Sequence, residues 1–192
     1  RAAKNIFANI DKVSISFYLT LIAFGWINIY ASQYNEDTSV VLDLSSRFGK
    51  QLLFICIACF VAFLTLIIDW KFYYSLSYLF YISIIFLLIG VIFKGAMIGG
   101  ATSWYEIGMF KFQPSEFAKF TTALALAKYY NNLHIKRISL NQKLKTYCII
   151  ILPFILIILQ NDLGTALTYA AFVLVLYREG LSGNILIFGL LI

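Results

Sequence analysis

Glu116 and Lys119 stand three residues apart at the mouth of an apolar helix, directly behind Pro114 in QPSEFAKF (113–120), and Asp162 lies between two apolar runs in QNDLGTA (160–166). At i, i+3 the carboxylate and the ammonium share one helical face and can pair. Glu116 in the first turn complements the positive end of the helix dipole, and Pro114 suits a first turn because its missing N–H would be unpartnered there anyway. Lys119 does not fit this pattern, because a cation near a helix N-terminus is on the unfavourable side of the dipole. An ion pair at the edge of hydrocarbon is costly unless it faces protein or a water-filled cavity, so we read it as functional, against the plainer reading of a pair that locks neighbouring helices. Asp162 is a good helix N-cap, and Gly164 is small enough for close packing. The three charges outline a polar cavity within an apolar chain.

The elements that must position them follow from composition. Of 192 residues, 61% are hydrophobic and 12% charged, where a soluble domain carries about 25% charged residues. This is the composition of an integral membrane protein, and the expected fold is all-α, a polytopic transmembrane helix bundle forming a single domain over residues 1–192. A hydrocarbon core of about 30 Å needs roughly 20 apolar residues per helix. Apolar runs predict spans at 13–31, 50–68, 72–93, 115–130, 146–160 and 163–177, with a seventh starting near 183. The fifth run, YCIIILPFILIIL, rises only about 20 Å at 1.5 Å per residue, and Pro153 tends to kink it. Two short helices meeting at Gln160, Asn161 and Asp162 would put the carboxylate below the membrane surface, beside protein or a water-filled cavity.

Alternate loops sort the basic residues. Arg1, Lys4, Lys12, Lys71, Lys128, Lys136, Arg137, Lys143, Lys145 and Arg178 fall on one side, and Arg47, Lys50, Lys94, Lys111 and Lys119 on the other. By the positive-inside rule the N-terminus is cytoplasmic. The basic loop HIKRISLNQKLK (134–145) then needs no nucleic acid to explain it; attraction to anionic membrane lipids suffices, and His134 reads as a solvated loop residue. On the opposite, outer side, residues 94–114 combine Gly95, Gly99 and Gly100 with Trp104, Tyr105, Ile107, Met109, Phe110 and Phe112, an aromatic stretch suited to headgroup depth. Cys56, Cys59 and Cys148 lie in apolar runs and read as small buried hydrophobes. The first run lacks a cleavage motif and reads as a true span rather than a signal peptide. The chain opens on Arg1 and stops inside the apolar run GNILIFGLLI, so we expect a piece of a longer protein.

GGATSWYEIGMFKFQPSEFAKF (99–120) resembles the outer-loop and fourth-helix signature of the shape, elongation, division and sporulation (SEDS) family, the RodA/FtsW type, and LQNDLGTAL (159–167) resembles its second signature. The likeness runs from the first span onward and favours the RodA-like, cell-elongation branch. There are two departures: Ser103 stands where the family commonly has arginine, and Asn161 where it commonly has proline. The resemblance implies a ten-helix bacterial inner-membrane enzyme that polymerises peptidoglycan glycan strands from lipid II by inverting glycosyl transfer. In that reaction a carboxylate base takes the proton of the acceptor 4-hydroxyl as undecaprenyl diphosphate leaves. It further implies a divalent cation, Mg2+ or Mn2+, and a class B penicillin-binding protein as transpeptidase partner. The family's catalytic aspartate would lie between the seventh and eighth spans, beyond this chain, so the general base is not named and the piece alone is expected to be inactive. Gln113, Ser115, Glu116, Lys119, Asp162, Gly164 and Thr165 are the expected substrate-cavity residues. Two other functions fit the same cavity: a lipid II flippase, since interrupted helices are a transporter trait, and a non-catalytic scaffold that would tolerate neutral substitution of the charges.

Overall fold

Helices in this chain start where a polar side chain can satisfy the first free N–H groups. The computed structural model describes residues 11–33, 46–108, 110–133 and 139–179. Helix α1, Lys12–Ser32, is capped by Asp11, whose carboxylate accepts from the Val13 amide at 3.0 Å and from Ser14 Oγ at 2.6 Å. The Ser14 hydroxyl first, and then the backbone amides, hold the Asp11 carboxyl below its ordinary value, so the cap weakens as pH falls through that lowered value. Helix α2, Arg47–Ile67, is capped by Ser46. The two pack together through Trp26 Nε1, which donates to the Phe48 carbonyl at 3.1 Å, and through the edge of Tyr30 on the buried Phe48 ring. They form one unit, Arg1–Asp69.

The second unit, Trp70–Ile192, holds everything that bears on the charged residues. Its helices are α3, Trp70–Lys94; α4, Pro114–Asn131; α5, Leu140–Leu159; α6, Leu163–Thr168; and α7, Ala171–Arg178. Between α3 and α4 a three-stranded antiparallel sheet is folded from β1, Ala96–Ile98, β2, Ala101–Ile107, and β3, Phe110–Phe112, in that order. The helical bundle is as expected; the small sheet is an addition to it. Gly99 and Gly100 form the two-residue loop between β1 and β2 with φ of 61 and 85, the sign a type I′ hairpin requires at both positions.

Four helices, α1, α2, α3 and α5, are long and apolar enough to cross a membrane among the described residues. Helix α4 has 18 residues and is more polar than those four, carrying Glu116, Lys119 and Lys128. It is accommodated because it packs against α3 and α5. It meets its neighbours with small side chains at helical spacing, Ser115, Ala118, Thr121, Thr122 and Ala125, all buried, which let backbones approach closely. Ile84 and Leu88 of α3, Ile150 and Ile157 of α5, Ala166 of α6 and Leu176 of α7 complete the core. Polar ties cross it: Tyr81 Oη donates to the Ile149 carbonyl at 3.0 Å, and Lys128 Nζ donates to the Ser75 carbonyl at 2.8 Å while lying over the rings of Tyr74 and Tyr78.

Two expectations are corrected. The fifth helix is not short. It begins at Leu140, inside the segment read as a loop, because Ser139 and Gln142 form a reciprocal capping box. Its 20 residues rise about 30 Å, enough for the hydrocarbon core, and Pro153 lies within it. The sixth span, expected as one helix over 163–177, is found as the apolar helix Leu163–Arg178, which tightens between Thr168 and Ala171. There Tyr169 and Ala170 donate to carbonyls three residues back, and Thr168 Oγ1 takes the Thr165 carbonyl at 2.6 Å. Cys56, Cys59 and Cys148 are exposed on helix faces rather than buried. The expected seventh span near 183, His134, Lys136 and Arg137 lie outside the described residues.

Candidate functional site

Asp162 caps α6 with Oδ1, which accepts from the Thr165 amide at 3.1 Å. Its other oxygen, Oδ2, accepts from Gln113 Nε2 at 2.7 Å and from Ser115 Oγ at 3.4 Å. Gln113 is the N-cap of α4, yet its side chain makes no cap bond and reaches to Asp162 instead. The start of α4 and the start of α6, 49 residues apart in the chain, are thereby joined by one carboxylate. Both oxygens are engaged, which makes Asp162 an organiser of two helix starts rather than a free base.

The chain reaches Asp162 through a left-handed residue. Asn161 has φ of 58, which asparagine tolerates and proline, fixed near −65°, does not. At the position where the family commonly has proline, this chain therefore turns by a different backbone route. Asn161→Gly is expected to keep stability, whereas Asn161→Val should lose about 1–2 kcal/mol, read as the shift in thermal unfolding of the detergent-solubilised protein.

Gln160, one residue earlier, is a tie that the sequence reading did not assign. It is fully buried; its Nε2 donates to the Leu88 carbonyl of α3 at 3.1 Å, and its carbonyl accepts from the Thr102 amide of β2 at 2.9 Å. Ser103, next on β2, is also fully buried, so the position where the family commonly has arginine here faces the interior as a small hydroxyl. Among the described residues, Ser103 Oγ and Gln160 Oε1 are buried without a hydrogen-bond partner. Tyr105 fixes the sheet from the same face. Its hydroxyl donates to the Leu87 carbonyl at 3.0 Å, and desolvation raises its pKa. A Cβ at Gly90 would lie 2.5 Å from that hydroxyl oxygen but 3.8 Å from ring carbon Cζ. Gly90→Ala should therefore cost about 1–3 kcal/mol by overpacking, and adding Tyr105→Phe should recover most of it in the same unfolding measurement.

Glu116 and Lys119 form the second group. Lys119 Nζ donates to both Glu116 carboxylate oxygens at 2.9 Å, and the Lys119 and Glu116 side chains are 30% and 53% exposed respectively. Their face of α4 also carries the exposed Phe117 and Phe120, whereas Ser115 and Ala118 face inward. Among the described residues no hydrogen bond or ion pair joins this pair to the Asp162 cluster. The seven expected residues thus divide: Asp162, Gln113, Ser115 and Thr165 converge, and Glu116 with Lys119 stands apart as an accessible charge pair. Gly164 has nothing within 4 Å of an added Cβ, so the expected close packing there is not found among the described residues. No three His, Cys, Asp or Glu side chains among the described residues cluster to hold a metal. By themselves those residues do not fit a divalent cation.

The site thus offers a carboxylate with both oxygens hydrogen-bonded and, apart from it, a partly exposed ammonium paired with Glu116. The profile of the FtsW, RodA and SpoVE cell cycle protein family matches residues 12–192. The chain belongs to this family. It is 31% identical over 173 residues to the peptidoglycan glycosyltransferase RodA of Treponema pallidum, covering 88% of this chain and 38% of that protein. It superposes on the crystal structure of the Thermus thermophilus rod shape determining protein RodA with a TM-score of 0.79 at 26% identity, over 93% of this chain and 57% of that one. A chain from a peptidoglycan synthase complex, in a structure addressing coordination of polymerization and crosslinking, matches with a TM-score of 0.77 at 28% identity, over 95% of this chain and 52% of that chain. The chain thus spans little more than half the length of these structures and about two fifths of the Treponema protein. Family membership and the apolar helices establish a multi-pass membrane protein.

Proposed function

We propose that this chain forms the substrate-cavity part of a peptidoglycan glycosyltransferase that polymerises glycan strands from lipid II during cell elongation, working with a class B penicillin-binding protein. Membership of the FtsW, RodA and SpoVE family carries the reading, and the relatives named as RodA and as part of a synthase complex support it. In this reading the N-terminus is cytoplasmic in the bacterial inner membrane, and the sheet, Asp162 and the start of α4 face outward. Lys119 meets the diphosphate of a lipid-linked sugar, exchanging its bond with Glu116 for a charge-assisted bond to phosphate oxygens. Asp162, Gln113, Ser115 and Thr165 keep the two helix starts in register around it. A general base and any divalent cation are supplied by residues other than those described.

Lipid II should protect Lys119 from an amine-acylating reagent in the detergent-solubilised intact gene product, while Lys111, paired with Glu106 on the sheet at 2.8 Å, stays reactive. Equal labelling of both lysines with and without lipid II would remove Lys119 from the site. The tightened turns between Thr168 and Ala171 favour one second reading, a lipid II flippase, because irregular membrane helices are used to form transport sites. The two differ in product: a polymerase lengthens glycan chains, and a flippase moves lipid II unchanged across the membrane.

A further inference from the structure

The cross-strand register of the sheet separates its side chains into two chemically different faces. Tyr105 lies opposite Phe112, and Ile107 opposite Phe110, so these four share one face; Glu106 lies opposite Lys111 on the other. Glu106 and Lys111 pair at 2.8 Å and are about half exposed, as suits a surface in water.

The direction of the apolar face is set by its inner end. Tyr105 runs down along α3: its hydroxyl donates to the Leu87 carbonyl and lies against Gly90. Leu87 is seven residues before the end of α3 at Lys94, about 10 Å down the helix axis at 1.5 Å per residue. The Tyr105 side chain thus points from the sheet toward the middle of an apolar, membrane-length helix. Phe112 points the same way, and its ring meets Phe117 of α4 at a centroid distance of 5.0 Å. Ile107 is two residues along the same strand, about 7 Å from Tyr105, and lies on the same face. It is 69% exposed, and its cross-strand neighbour Phe110 is 54% exposed.

We propose that the outer end of the β2–β3 hairpin, through Ile107 and Phe110, is inserted into the acyl-chain region of the leaflet on the sheet's side of the bundle. Its occupant is the bilayer itself, the surface continuous with the lipid-facing side of α3. Gly108, with φ of 60, turns the chain at this end. The inserted end holds β3, and through it the start of α4 at Pro114, at a fixed depth, so that Glu116 and Lys119 stay at the level of lipid headgroups. The anchoring depends on the chain spanning a membrane and not on the enzymatic reading.

The test uses the intact gene product with every native cysteine, Cys56, Cys59 and Cys148 among them, replaced by alanine, reconstituted in phosphatidylethanolamine and phosphatidylglycerol vesicles. Single cysteines at Ile107→Cys and Glu106→Cys carry an environment-sensitive fluorophore, and doxyl groups on the acyl chains quench it. The Ile107→Cys label should emit to the blue and be quenched about threefold more than the Glu106→Cys label, as an apolar face buried at the acyl boundary requires. Phe110→Cys, on the same face, should repeat the result and serves if Ile107→Cys fails to fold. Equal quenching on the two faces, or stronger quenching at Glu106→Cys, overturns the proposal.

Discussion

Lys119→Met is expected to lower glycan synthesis by roughly 10²- to 10³-fold, the loss that follows removal of one preorganised charge-stabilising donor, while leaving the protein folded. The ammonium is partly exposed on α4 and bonded only through Glu116 among the hydrogen bonds found, so its removal leaves no buried partner unsatisfied. Stability should change by less than about 1 kcal/mol, as for an exposed ion pair. Glu116→Gln keeps the cation and one acceptor for it, and should cost less activity. The exchange Glu116→Lys with Lys119→Glu separates the two readings of the pair. It restores an i, i+3 ion pair on the same helix face, so a pair that merely locks helices would be rescued. A lysine that must reach a diphosphate from position 119 would not, and activity should remain lost. Parallel thermal unfolding and glycan synthesis for the three variants, made in the intact gene product, check this prediction.

Asp162→Ala is expected to act through structure. It removes the α6 cap, worth about 1 kcal/mol, and strands the Gln113 amide and Ser115 hydroxyl that the carboxylate receives. With the cost of unpaired, partly buried donors the loss should reach about 2–4 kcal/mol. Asp162→Asn should be mild, because asparagine caps equally well and the Gln113 amide can turn its oxygen toward the new NH₂. The Gln113→Leu, Asp162→Ala double variant should cost less than the sum of its parts, the signature of a direct bond across the two helix starts. Denaturation midpoints in detergent give all four values. Additive costs would contradict that bond.

The apolar runs made α1, α2 and α3 legible almost to their ends, since length and hydropathy decide a membrane helix. The start of α5 was hidden because Lys143 and Lys145 gave its first turns the look of a basic loop. Ser139 and Gln142 carried the capping-box spacing that marks the true start. The sheet was hidden by its aromatics, which suit an interfacial stretch as well as a strand; Gly99, Gly100 and Gly108 were the turn signals. Asp162 as a cap was readable from its own neighbours. Its bond to Gln113, and the tie from Gln160 to Leu88 across 72 residues, were not, because no local pattern encodes which distant helix end meets which. For the same reason the sequence grouped Glu116 and Lys119 with Asp162, although inward Ser115 and outward Glu116 are neighbours that face opposite ways.

If Lys119 serves a glycan polymerase at the end of this bundle, its loss must abolish strand growth. The decisive measurement incubates labelled lipid II with the purified intact gene product and its transpeptidase partner, and resolves the products by chain length for wild type and Lys119→Met. A ladder of glycan strands from wild type, lost in a folded Lys119→Met protein, is the predicted result. No ladder from wild type, with lipid II instead crossing vesicle membranes unchanged, would contradict it.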